Sequence, residues 1–161
     1  MFAKRMRPFL FGALFLMVFG AGYYLGSRSD HIIPTSEVSA RQAVQTLWVQ
    51  TAEPPVPEVW IEGNQIDVRR SGYSWCNGYQ CVMTDAAIPT LDTITHVIVS
   101  GGADIETKPP IGIKSFQVRN LTLSGHEYTV PAEPGSYLYE ISCTWFLDQG
   151  NANFYFAVKV E

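Results

Sequence analysis

From Glu58 to Glu161, short apolar or alternating runs are cut at intervals by turn residues, and no window sustains a helical period of 3.6. Segments of this kind bury a face only as strands, so the stretch predicts one all-β domain of about a hundred residues, built as a sandwich or barrel. Expected strands are 58–62 and 65–69 around Gly63-Asn64, 72–76 and 80–84 around Asn77-Gly78, and 95–100 and 103–107 around Gly101-Gly102. After Pro109-Pro110 come 111–119, 126–130, 137–146 and 153–160. In the longest run, Tyr137, Tyr139, Ile141, Cys143, Trp145 and Leu147 share one face at period two, which makes that face the expected core side. Leu138, Glu140, Ser142, Thr144 and Phe146 make a mixed, half-exposed opposite face.

Ahead of this domain stands Pro8–Ser27, twenty residues without a charge, preceded by Lys4, Arg5 and Arg7. A helix of that length spans roughly 30 Å, the hydrocarbon thickness of a bilayer. The basic flank places the N-terminus in the cytoplasm and the chain from about Arg28 onward outside. The expected organisation is a cytoplasmic tail (1–7), a transmembrane helix (8–27), a stalk (28–57) and the β domain (58–161), a single-pass cell-membrane protein. A cleaved signal peptide, ending near Gly20 or Gly22 and releasing a secreted domain, is the competing reading. Tyr23, Tyr24 and Leu25 continue the run past those glycines like an interfacial aromatic belt and favour the anchor. Gly22 and Gly26 carry a GxxxG spacing, which is common by chance in glycine-rich spans.

With those three cations set aside, 8 Lys and Arg face all 15 Asp and Glu in the remainder, a net charge of −7. Such a surface repels polyanions, so nucleic acid is not an expected partner; Arg69-Arg70 reads as a solvated strand end. In the stalk, Pro54, Pro55 and Pro57 favour an extended spacer. Val44, Leu47 and Trp48 have the spacing of a brief helix beginning near Ser36. Trp48 then docks on the folded domain or meets a partner, docking being the favoured outcome.

Glu133-Pro134-Gly135-Ser136-Tyr137 resembles the tyrosine corner of immunoglobulin-like sandwiches, which implies that the strand from Tyr137 is the penultimate one. Tyr139 stands where antibody domains carry a core cysteine, so the resemblance is to the general sandwich. Gly72-Tyr73-Ser74-Trp75, then Cys81-Val82, Asp85 and Pro89, then a Gly-Gly turn and the strand from Ala103, are similar to small extracytoplasmic β domains of uncharacterised function in Gram-positive bacterial membrane-anchored proteins. That resemblance implies location and an Ig-like fold, and carries no activity onto any residue; the Ser those domains have between Gly and Tyr is missing here.

Chemical motifs are sparse. There is no GxSxG, HExxH, phosphate-binding glycine loop or paired CxxC. His31, His96 and His126 have no nucleophile nearby in sequence, and only spatial convergence would give an enzyme with a loop-built site. Asp148-x-Gly150-Asn151-x-Asn153 offers oxygen ligands but lacks a full calcium loop and reads as a hairpin turn. Asp92 and His96 would align on a helix, yet their segment is strand-like. No catalytic residue, metal or cofactor is assigned. Asn120-Leu121-Thr122 is a glycosylation sequon.

Aromatics are dense, and Phe154-Tyr155-Phe156 point to both faces of their strand. A face buried on one side only leaves some of them open, so Trp60, Tyr79, Phe154, Tyr155 and Phe156 form the candidate surface for a protein or cell-envelope partner. Covering a small core is the competing role. Cys76 and Cys81 bracket a tight hairpin at a spacing that facing strand residues can bridge, which predicts a disulfide with Cys143 buried and free. Pairing of Cys143 with either one across two sheets is the alternative. The function expected is a non-catalytic, membrane-tethered binding or accessory module.

Overall fold

The computed structural model describes residues 35–161. The apolar run Pro8–Ser27 lies outside them, and among the described residues no helix is long and apolar enough to cross a membrane. Residues 43–161 form one compact unit; the start of helix α1 (Thr35–Thr46) falls outside it.

The unit is all-β and mostly antiparallel. Strands β1 (Glu58–Ile61), β2 (Asn64–Gln65) and β6 (Ile105–Lys108) form a three-stranded sheet in the order β2-β1-β6. A six-stranded sheet runs β4-β3-β9-β8-β7, from β3 (Arg69–Cys76), β4 (Cys81–Thr84), β7 (Ile113–Asn120), β8 (Gly135–Trp145) and β9 (Gly150–Val160). Strand β5 (His96–Val99) joins it in parallel along the C-terminal half of β9, while β3 pairs antiparallel with the N-terminal half. Gly150 permits that β3 contact, because a Cβ there would stand 2.1 Å from the Ser74 carbonyl oxygen.

Turn chemistry sets the hairpins. The β1–β2 turn is Glu62-Gly63, one residue earlier than the expected Gly63-Asn64, with both residues at positive φ (53° and 75°). A two-residue turn that follows the strand twist requires positive φ at both positions, and Gly supplies the second without strain. β2 ends at Gln65, although the Ile66 amide still bonds the Val59 carbonyl (2.8 Å) and its side chain enters the core. The expected strand 126–130 makes one bridge, Asp104 to Thr129; Pro131, with no N–H, stops the ladder.

Both sheets contribute to one core. Val59, Ile61 and Ile105 of the small sheet share it with Trp75, Tyr139, Ile141, Trp145, Phe154, Phe156 and Val158 of the large one. Trp75 and Trp145 meet edge to face with centroids 5.0 Å apart, and Tyr139 stacks on Phe156 at 4.8 Å. Tyr137 to Trp145 follow the expected core face. Leu147 leaves it, since the strand ends at Trp145 and a 3-10 turn (Phe146–Asp148) puts Leu147 at φ 57° and exposes it. The opposite face is less open than expected: Leu138, Tyr155 and Ala157 are buried with Ile94 beneath the segment that carries Leu91.

Residues 48–57, read from sequence as part of a spacer, lie against the unit. Trp48 Nε1 donates to the Leu147 carbonyl (3.1 Å), Trp75 Nε1 donates to Thr51 O (2.9 Å), and Pro54 and Pro57 are buried. Three apolar proline rings within four residues gain from burial as well as favouring extension.

Candidate functional site

The outward face of the large sheet is a lattice of hydroxyl and amide side chains. Register sets Ser142 opposite Asn153, Thr144 opposite Asn151, Gln117 opposite Ser142 and Ser74 opposite Asn151. Period two sends Trp75, Ala152, Phe154 and Cys143 inward, and therefore sends these small polar groups outward. At one margin the shelf deepens into a cleft of about 460 Å³. Ser71–Ser74 form one wall, and exposed Met83 and Ile88 form an apolar rim. Asn151, Asn153, Tyr155 and Glu140 make its floor.

Among the described residues Glu140 is the buried charged side chain, 5% exposed. Tyr155 Oη donates to its Oε1 (2.8 Å), and Arg119, opposite it in register, donates from Nε (3.1 Å) and Nη2 to its Oε2. Both carboxylate oxygens are therefore engaged, which a buried carboxylate requires. Burial raises the Tyr155 pKa, the hydrogen bond to Glu140 and its charge add to the rise, and Arg119 opposes it. The phenol stays protonated. A carboxylate held by a guanidinium and a phenol is poorly placed as a general base; the other carboxylate of the lining, Asp85, is exposed, and no histidine or cysteine lines the cleft.

A neighbouring cleft of about 370 Å³ shares Ser71, Ala86 and Ile88. Arg70, on its wall, pairs with Glu53 and lies 5.7 Å over the Tyr73 ring, while Arg69 donates to Thr93 O (3.2 Å). These cations are thus tied into the domain. Among the described residues no three His, Cys, Asp or Glu side chains converge as a metal site. Asn151 and Asn153 are strand residues of β9, and the positive φ values of the preceding turn fall on Leu147 and Asp148.

The aromatic surface read from sequence does not assemble. Phe154, Tyr155 and Phe156 are buried on both faces of β9, because segment 85–95 covers the side that the sequence left open. Trp60 is half-buried on the small sheet, and Tyr79 alone of the five is strongly exposed, at the β3–β4 hairpin tip. Cys76 and Cys81 are disulfide-bonded beneath that tip, and Cys143 is free and buried. Asn120 of the sequon is buried too: its Oδ1 accepts the Thr122 and Leu123 amides (2.9 and 2.8 Å), so it holds a turn. Sequence reasoning missed Arg119, Glu140 and Gln149. An Arg and a Glu opposite each other on adjacent strands become a pair only once register is known.

No family model matches this chain, and comparison with curated proteins and with solved structures found no match.

Proposed function

We propose that the chain is a non-catalytic binding or accessory module of the cell envelope, held at the membrane through Pro8–Ser27, with an Ig-like β-sandwich outside. The observation that carries the binding reading is the cleft beside the outward shelf: its one buried carboxylate is neutralised by Arg119 and Tyr155, while Ser142, Thr144, Asn151 and Asn153 remain open to a ligand. Short hydroxyls and amides over an apolar rim, with exposed Asp85 in the lining, suit a hydrogen-bonding surface without negative charge, such as a glycan or a peptide backbone. The sandwich reading is supported by two sheets sharing one core and by Tyr137 Oη donating to the Glu133 carbonyl (2.8 Å), as a tyrosine corner does. A photo-crosslinker placed at Asn153 of the full chain in intact membranes should capture an envelope component that one placed at Gln65 does not. Equal capture at both positions would remove the cleft from the reading.

A further inference from the structure

Four loops meet at the end of the domain where the chain enters from α1. They are Leu47–Val49, the β3–β4 tip at Tyr79, Ile111-Gly112, and Phe146–Gln149. Gln149, 2% exposed, ties three of them together: its amide donates to Val49 O (2.7 Å) and Cys76 O (2.9 Å), and its Oε1 accepts the Val49 amide (3.0 Å). Trp48 Nε1 bonds Leu147 O, Trp145 Nε1 bonds Ile111 O (3.0 Å), and the Phe146 amide bonds Gly112 O (3.0 Å). Out of this fixed frame project Leu47 (73% exposed), Tyr79 (90%), Ile111 (73%), Phe146 (55%) and Leu147 (42%).

We infer that this end of the domain rests in the headgroup region of the same bilayer that holds Pro8–Ser27. The inference depends on the anchor reading above. Aliphatic and aromatic tips with a nearby Trp are the side chains that gain from the membrane interface. The Tyr79, Gln80, Phe146 and Gln149 amides are hydrogen-bonded within these loops, which lowers the cost of shallow burial. Charge agrees: the projecting end balances Lys114 against Asp148, whereas the far end, with Leu121 and Leu123, carries Glu127 and Glu133 beside a Lys159–Glu161 ion pair and so keeps a net negative charge that an anionic leaflet repels. Reach agrees as well. Seven residues, 28–34, can extend at most ~25 Å and the 12-residue α1 is about 18 Å long, so the chain length between Ser27 and Leu47 permits this contact.

The test uses the full chain reconstituted into vesicles of phosphatidylcholine with a minor share of phosphatidylglycerol. Spin labels go on Ile111→Cys and, in a second sample, on Ser124→Cys, both at exposed positions while Cys143 is buried. The inference expects accessibility to a water-soluble nickel chelate at 111 to be at least about threefold lower than at 124, with Phe146→Asp restoring it. Equal accessibility in chain that resists alkaline carbonate extraction overturns the contact while leaving the anchor intact. Protection at 111 that fades as protein is diluted in lipid assigns the patch to a second copy and also overturns it. Extraction of the chain by carbonate ends the anchor reading, and this inference with it.

Discussion

Tyr155 and Glu140 face each other across β9 and β8, and the phenol donates to a carboxylate that is buried with it, 2.8 Å away. Removing the donor leaves one oxygen of a buried charge without its partner. Tyr155→Phe should therefore destabilise the domain by about 1–3 kcal/mol in urea unfolding. Combined with Glu140→Gln, the loss should fall short of the sum of the two single effects, since contacting groups couple. Additive losses would show that the hydrogen bond contributes nothing.

Alkaline pH should destabilise the domain progressively. Burial raises the Cys143 thiol from 9.0 to about 12, and burial raises the Tyr139 phenol from 10.0 to about 12 against a partial offset from Asn120. Both folded values exceed the unfolded ones, so the unfolded chain loses these protons first. The stability they contribute is complete below pH 9 and is lost progressively as pH rises towards 12. Urea midpoints should be level from neutrality to pH 9 and drop above it, and Cys143→Ala should delay the onset of the drop.

The architecture was legible where a local rule governs. The period-two face from Tyr137 to Trp145, the disulfide at Cys76 and Cys81, and buried Cys143 follow from alternation and hairpin spacing, and the structure has all three. What depends on distant pairing was hidden. Nothing local to Phe154-Tyr155-Phe156 says that segment 85–95 folds over Tyr155, so a doubly covered strand read as a half-open one. Pro54 read as spacer for the same reason: it is buried where the Trp75 indole, distant in sequence, bonds the Thr51 carbonyl. The cleft required the register of four strands.

Tyr137→Phe should cost about 1 kcal/mol through loss of the hydrogen bond to Glu133 O, without altering the far-UV dichroism of the β domain. A change of fold signal, or no loss at all, would remove the corner from the account of how β8 is held.

Opening the disulfide by Cys76→Ser with Cys81→Ser should lower stability by roughly 2 kcal/mol, the chain-entropy value for so short a loop. In the parent chain, peptide mapping without reductant should recover the 76–81 loop, with Cys143 alkylated only after unfolding. A peptide linking Cys143 to either partner would contradict the assignment.

We propose that the β domain stands outside a membrane to which its own N-terminal run is fixed. Protease added to intact cells or spheroplasts tests this most directly. The account predicts digestion of the chain beyond about Ser27, while the fragment containing Phe9 to Leu25 stays with the carbonate-washed membrane. A mature chain whose N-terminus begins near Tyr23, or a β domain protected until the cells are lysed, would contradict it.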